Sequence, residues 1–288
     1  RNFSASVVGG ISLRRSKFGA AIDMSGVKVD GTIDLEDSCI AGDLRLAAVM
    51  RSNSTVTHPS STAEDDPLTR VWNPVVCSAI NLRMAKCTND VDLTGVVVVC
   101  AENRKADTGL VDGRYATVAG DLVCFDDKRF SLPAFARLES CLDLSYSQLA
   151  HFVVSGCLFS GIQRDISASP SKRGLLLERA TVGKLDVREV SSLGDDSVAS
   201  TGLKGARAYP APIRLTDVKV EVWQVEGSSN HENDEAKKYI NLLANDEPFR
   251  RSTYRSLEAS LRNSGDDEPE KRQLWLEPTC PSSSVSAC

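Results

Sequence analysis

Histidine, cysteine and paired carboxylates do most acid–base, nucleophilic and metal chemistry in proteins, and here they are sparsely placed. The three histidines are His58, in a Ser/Thr-rich stretch, His151, beside a repeat, and His231, ahead of a helix-forming segment. None has a Ser or Cys neighbour in a recognisable nucleophile context, so they read as surface or loop residues. The nine cysteines (Cys39, Cys77, Cys87, Cys100, Cys124, Cys141, Cys157, Cys280 and Cys288) form no C-x-x-C pair. A zinc site or a dense disulfide framework is therefore not expected. Several fall on apolar positions of the repeat described below, where a thiol acts as a small hydrophobe. That usage favours reduced thiols and a reducing intracellular compartment. No phosphate-binding Gly-rich motif follows a strand, and Val8-Gly9-Gly10-Ile11 reads as a turn.

The carboxylates carry more interest. Asp34, Asp92, Asp143 and Asp186 each sit between two apolar residues, where strand alternation points them outward. A row of this kind could hold Ca²⁺ or carry out the acid–base work of polysaccharide cleavage. Arg45, Arg83 and Arg214 are read into the equivalent slot, however, and that mixture favours a solvated, mixed-charge face. No catalytic residue, cofactor or metal is assigned, and no small-molecule ligand is expected.

The elements that carry these residues follow from an internal repeat. The segments ISLRRSKFGAA, IDMSGVKVDGT, IDLEDSCIAGD and LRLAAVMRSNS align at an 11-residue period. Each opens on two apolar residues around a polar one: Ile11/Leu13, Ile22/Met24, Ile33/Leu35 and Leu44/Leu46. A small or branched residue follows (Ser16, Val27, Ser38, Val49), then a further apolar one (Phe18, Val29, Ile40), then a Gly or Asp turn. The register returns at Ile80/Leu82, Val91/Leu93, Leu122/Cys124, Leu142/Leu144, Leu175/Leu177 and Ile213/Leu215. After the last two, the next pair arrives one residue early, at Leu185/Val187 and Trp223/Val225. Short alternating stretches broken by Gly indicate strands with one buried face rather than a helical repeat. Two units would make a coil of about 22 residues, stacked at the ~4.8 Å strand spacing.

The expected fold is mainly β: a right-handed parallel β-helix of 11-residue half-coils over residues 1–228, its hand taken from the usual sense of parallel connections. Its core register runs through residues 7–225, with insertions at about 50–74, 100–114 and 188–212. Residues 229–277 form a helical cap, through HENDEAKKYINLLAND, FRRSTYRSLEASLRNSG (a stripe of Tyr254, Leu257 and Leu261, stopped by Gly265) and a third helix at Glu268–Leu276. Residues 278–288 are expected to be disordered. A possible partner surface comprises Tyr254, Arg250, Arg251, Arg255 and Arg262.

The run GDLVCFDDKRFSLPAFARLESCLDLSYSQL, followed later by RRSTYRSLEASLRNSGDDEPEKRQL, resembles bacterial pentapeptide-repeat-like β-helix proteins. Their G-D-(L/V)-x-(L/F) units alternate with L-x-L units and precede a helical segment. The resemblance implies architecture. The tight A-(D/N)-L-x-x pattern of the gyrase-binding DNA mimics is absent, as is any motif for the oxidoreductase label that some similar proteins carry. With a net charge of −5, nucleic acid is not expected as a partner, and no apolar run reaches transmembrane length. The reading is a non-catalytic scaffold or protein-interaction subunit, not an enzyme, with other protein subunits as partners. The alternatives are a carbohydrate-active β-helix using outward carboxylates and an acidic rod-like regulator that binds another protein.

Overall fold

The computed structural model describes residues 5–50, 72–73, 75–98, 110–124, 137–138, 141–155, 174–188, 213–226, 238–239, 242–243, 246 and 251–263. The chain is mainly β, with long parallel sheets and little helix. Most strands are two or three residues long, as the short alternating stretches require. They line up in a seven-stranded sheet running from Ile11–Ser12 through Thr32–Asp34, Ala79–Asn81, Leu110–Asp112, Cys141–Asp143 and Gly174–Leu176 to Ile213–Arg214. A second, ten-stranded sheet runs from Lys17–Phe18 to Lys219–Glu226, and a third, five-stranded one from Ser6–Val8 to Arg137–Leu138.

Pairing is parallel throughout these three sheets, and in the first turn it joins residues 22 apart: Ser6 to Lys28, Ile11 to Ile33, Lys17 to Cys39 and Ile22 to Leu44. That offset is two 11-residue units, and the stacking is consistent with a β-solenoid. Ile33 then pairs with Ile80, Ile80 with Val111, Val111 with Leu142, Leu142 with Leu175 and Leu175 with Ile213. These later offsets are 47, 31, 31, 33 and 38 residues, so more than two 11-residue units of chain separate the paired strands. The expected insertion at 50–74 has its two ends joined, Val49–Met50 pairing antiparallel with Trp72–Asn73. Residues 51–71 and 189–212 lie outside the described residues. The interruption expected at 100–114 is shorter at its C-terminal end, since Leu110–Asp112 is a full member of the seven-stranded sheet. Asp112-Gly113 replaces the expected polar–Leu step there, which hides the unit in the sequence.

Inward side chains stack in columns. One consists of Ile11, Ile33, Ile80, Val111, Leu142, Leu175 and Ile213; another of Ile22, Leu44, Val91, Leu122, Phe152, Leu185 and Trp223. Beyond the first turn these columns are buried, and each large aliphatic contributes about 1.5–3 kcal/mol. Cys87 occupies the column of Ile40 and Val118, as its apolar position in the repeat requires. The small residues read at the corners are buried too, at Ser38, Ala85, Ala116, Ser147 and Ala180. Val49 departs from that role: it is exposed, because its chain turns away into the antiparallel pair.

Two kinds of corner shape each turn. At the first, a four-residue turn closes by hydrogen bonds such as Ser38 N–H to Leu35 O (3.2 Å) and Ala85 N–H to Leu82 O (2.9 Å). The residue before the closing donor takes a left-handed conformation at Arg15, Asp37, Met84, Tyr115, Tyr146, Arg179 and Asp217, with φ of 54–62°. Such a backbone costs a non-Gly residue roughly 1–2 kcal/mol. At the second corner the coils nearly touch: a Cβ on Gly42 would run into the Ala21 nitrogen, and one on Gly120 would stand 2.7 Å from the Asn89 carbonyl carbon. This corner disappears in the later turns. Between Val118 and Asp121 there is a register bulge against Leu149 and His151, and the strands Gln148–Ser155, Thr181–Arg188 and Lys219–Glu226 run straight through. The pair that arrives one residue early is the sequence trace of that lost bend.

The helix α1, Arg251–Asn263, lies against Lys219–Glu226. Thr253, Leu257 and Ser260 form its buried stripe, with Tyr254 half-buried beside them. The expected stripe contained Tyr254 and Leu257 but not the two hydroxyl residues, and the Leu261 side chain lies outside the described residues. Lys238, Tyr239, Leu242 and Leu243 are helical, with both leucines buried. Gly265, the third helix at 268–276 and the tail at 278–288 also lie outside the described residues. Among the described residues no helix is long and apolar enough to cross a membrane.

Candidate functional site

The outward slot of the seven-stranded sheet holds Ser12, Asp34, Asn81, Asp112, Asp143, Leu176 and Arg214 on successive rungs. Asp34 and Asp143 are therefore members of one row, as expected, with Asn81 and Asp112 between them. Arg83 does not share this slot; Asn81 does, and Arg83 lies two residues on, in the turn. Asp92 belongs to a different row, on the ten-stranded sheet, running Asp23, Arg45, Asp92, Val123, Val153, Asp186, Gln224. Asp186 occupies an outward rung yet is buried, which corrects its expected exposure; Val123 and Val153 on the same row are buried as well.

The acids of these rows other than Asp186 share one local task. Asp34 Oδ1 accepts the Glu36 N–H (3.1 Å), Asp112 Oδ1 the Arg114 N–H (3.1 Å) and Asp143 Oδ1 the Ser145 N–H (3.0 Å). Asn81 does the same for Arg83 (3.1 Å), and Asp23 and Asp92 do so for Ser25 and Thr94 (both 2.9 Å). Each is an Asx turn in which the side chain holds the bend that follows it. The hydroxyl and backbone N–H of Ser25 hold the Asp23 carboxyl below the usual carboxylate range.

Cations close the row. Arg114 grips Asp112 with both ends of its guanidinium (2.9 and 2.6 Å) and reaches Asp143 at 3.7 Å. The hydrogen bond to Asp112, then the charges of Asp112 and Asp143, outweigh desolvation and push the Arg114 pKa up. Arg14 pairs with Glu36 and stands 3.5 Å from Asp34, while Asn81 Nδ2 donates to Asp34 Oδ1 (3.0 Å). Arg214 lies 3.5 Å from Glu178. In this row Asp34, Asp112 and Asp143 each have a cation beside them, Arg14 shared with Glu36 and Arg114 shared between two of them. Among the described residues no group of three or more His, Cys, Asp or Glu is arranged to hold a metal ion.

Two polar pairs elsewhere were not read from the sequence. His151 is a strand residue rather than a loop residue, and its Nδ1 lies 3.0 Å from Asp121 Oδ1 on the adjoining rung. Asp121 is itself fixed through its backbone N–H, which donates to Asp90 Oδ1 at 2.8 Å. The buried Asp186 carboxylate accepts from Arg188 at 3.2 Å. Spacing offered a partial signal for the second pair, since residues two apart on a strand share a face. No such signal exists for the first, whose partners are 30 residues apart. His58 and His231 lie outside the described residues.

Of the expected partner surface, Arg251, Arg255 and Arg262 are exposed on α1, with Arg262 paired to Glu258. Burial, and then the charge of Asp246, pushes the Tyr254 phenol up. Arg250 lies outside the described residues. The buried side of α1, with Tyr239 and Asp246 before it, meets the backbone of the last described turn through specific bonds. Thr253 Oγ1 donates to Leu215 O (3.0 Å), Ser260 Oγ to Glu221 O (2.8 Å) and Tyr239 Oη to Trp223 O (3.5 Å), while Asp246 Oδ1 accepts the Leu215 N–H (3.0 Å).

The thiols divide by exposure. Burial raises the Cys77 pKa to about 12; burial, and then the charge of Cys39, raises that of Cys87 to about 11; Cys124 moves the same way through burial and then Asp92. Cys39 is exposed, on the rung between Lys17 and Lys86. Cys141 is buried. Cys100, Cys157, Cys280 and Cys288 lie outside the described residues.

The chain matches no family model, no curated protein and no solved structure.

Proposed function

We propose that the chain is a right-handed parallel β-helix with a C-terminal helical cap, working as a non-catalytic scaffold or protein-interaction subunit of a larger assembly. Membership of the pentapeptide-repeat-like β-helix proteins, in an 11-residue variant, is part of the same proposal. The observation that carries it is the use made of the outward acids. Asp34, Asp112 and Asp143 each hold their own turn and sit beside cations, and Asn81 fills the same slot without a charge. A general acid needs a raised pKa or a vacant face towards substrate, whereas a turn-holding residue needs only a side-chain oxygen.

The cap reading is supported by the bonds that α1, Asp246 and Tyr239 make to the backbone of the last described turn, at Leu215, Glu221 and Trp223. An open parallel edge would otherwise offer its backbone to other chains. The other side of α1, with Arg251, Arg255 and Arg262, is the surface assigned to a partner subunit.

The carbohydrate-active alternative draws on the placement of Asp34, Asn81, Asp112 and Asp143 on consecutive rungs. One pair of variants separates the readings. Affinity capture with Arg251→Glu/Arg255→Glu should lose a stoichiometric protein that the unaltered chain retains. Asp34→Asn/Asp143→Asn should keep that protein and leave turnover of a polysaccharide panel at background for both chains. Depolymerase activity in the unaltered chain that Asp34→Asn/Asp143→Asn abolishes would install the enzyme in place of the scaffold.

A further inference from the structure

The left-handed corner residues form a continuous outer ridge. Arg15 N–H donates to Glu36 O, Asp37 N–H to Arg83 O, Met84 N–H to Arg114 O, Tyr115 N–H to Ser145 O, Tyr146 N–H to Glu178 O and Arg179 N–H to Thr216 O. Each corner therefore sits directly over the next, and the ridge reads Arg15, Asp37, Met84, Tyr115, Tyr146, Arg179, Asp217. At the strand spacing its seven rungs extend for about 30 Å.

Its composition runs against local backbone preference. The same left-handed geometry recurs at Gly26 and Gly95, with φ of 70° and 72°, so the fold accepts glycine in such a corner. The ridge nevertheless holds seven side chains there, all projecting outward. Met84, Tyr115 and Tyr146 are 46%, 49% and 41% exposed, the largest apolar side chains left open on adjoining rungs. The two tyrosine rings stack with centroids 5.0 Å apart and planes inclined by 14°, and Arg179 lies 5.7 Å from the Tyr146 centroid. Stacking makes this a stiff aromatic strip, with ring edges outward. Tyr, Met and Arg are the residues enriched at the centres of protein interfaces.

The order of charges identifies the occupant. From the first rung the ridge is positive, negative, three uncharged side chains, positive, negative. Turned end for end, it meets itself with every sign opposed. Arg15 faces Asp217, Asp37 faces Arg179, Met84 faces Tyr146, and Tyr115 faces its own copy. A parallel pairing would instead set Arg15 against Arg15 and Asp37 against Asp37. We propose that this ridge is a homodimer interface: two copies of the chain lie antiparallel along it, about a two-fold axis at Tyr115. A closed two-fold contact of this kind is isologous, each copy giving and receiving the same pairs.

The neighbouring column does not oppose this. In it Glu36 is paired with Arg14, Glu178 with Arg214 and Arg114 with Asp112, each within its own chain, and Arg83 would face the uncharged Ser145 of the other copy. The within-ridge contacts Arg15–Asp37 and Arg179–Asp217 are long, at 3.9 Å each, and their side chains are 53–79% exposed. They remain available to a second chain. The inference is independent of the scaffold reading, which concerns a different subunit at α1.

Sedimentation velocity on the full chain, across a concentration series, tests it. The unaltered chain should dimerise reversibly. Asp37→Arg and Arg179→Asp should each weaken the dimer by about tenfold or more, since each sets like charges face to face across the interface. The double variant Asp37→Arg/Arg179→Asp should recover most of the affinity, because each reversed residue meets the other on the opposite copy. Tyr115→Lys should give a folded monomer, with circular dichroism unchanged. A chain that is monomeric at every concentration, a dimer indifferent to Tyr115→Lys, or a double variant no tighter than the singles would each overturn the interface.

Discussion

At the scale of single residues, the recurring device is a side-chain oxygen that holds the bend two residues later. Asn81 performs it without a charge, so the oxygen and not the carboxylate charge is what the turn needs. Asp34→Ala removes the acceptor of the Glu36 N–H and of the Asn81 amide, and should destabilise the chain by about 1 kcal/mol. Asp34→Asn should restore most of that loss in chemical denaturation. Equal loss in both variants would transfer the contribution to the Arg14 ion pair. The buried thiols support a second prediction. Folded Cys77 and Cys87 keep their protons up to about 12 and about 11, whereas an unfolded thiol ionises near 8.5–9. A pKa raised by folding gives stability that is complete below the unfolded value and is lost as pH climbs towards the folded one. Thermal melts should therefore fall between pH about 9 and about 11. Cys77→Ala/Cys87→Ala should start from a lower melting point but show a shallower alkaline decline.

At the scale of elements, the corners decide which substitutions the chain tolerates. Gly42 is held where the coil above passes the Ala20–Ala21 backbone, and backbone atoms cannot move aside as a flexible side chain could. Gly42→Ala should cost about 1–3 kcal/mol through that clash. Gly19 has no atom within 4 Å of an added Cβ, so Gly19→Ala should change stability by less than about 0.5 kcal/mol. Differential scanning calorimetry of the two variants distinguishes steric packing at the corner from a general intolerance of glycine replacement. The later turns avoid this corner altogether. Their eight-residue strands pass straight through, and the bulge between Val118 and Asp121 marks the rung where the change begins.

At the scale of the whole molecule, the array has two ends that are treated differently. The last strand receives Ser260 and Tyr239, at Glu221 O and Trp223 O, and Thr253 and Asp246 satisfy the backbone of Leu215 just after Ile213–Arg214. Ending the chain after Glu226 uncovers that edge. The shortened chain should associate end to end and enter large particles, measurable by light scattering. A soluble truncation with an unaltered melting temperature would show that the edge needs no cover.

The 11-residue period, the inward apolar pairs and the recurrence of a small or branched residue after them were legible from the chain alone. They arise from strand alternation and tight turns, which are local properties of neighbouring residues. The early pairs at Leu185/Val187 and Trp223/Val225 were legible too, but not that a corner is lost there. Legibility failed where Gly113 stood in the place of an expected Leu, and the strand Leu110–Asp112 was read as part of an interruption.

What the tertiary structure decided is which outward residues become neighbours. The chain length between adjacent rungs is not constant: Asp34 and Asn81 are 47 residues apart, Asn81 and Asp112, like Asp112 and Asp143, 31, and Asp121 and His151 30, none of them the 22 of the repeat. Rung adjacency is fixed by backbone pairing between segments far apart in sequence. Burial is non-local as well: Asp186, like Asp143, is flanked by two aliphatic residues, yet it is buried where Asp143 is partly exposed. The sequence by itself thus determined how each coil folds and which way its side chains point. Only stacking determined what those side chains meet, because a repeat encodes its own geometry in every unit but not the identity of the residue on the next rung.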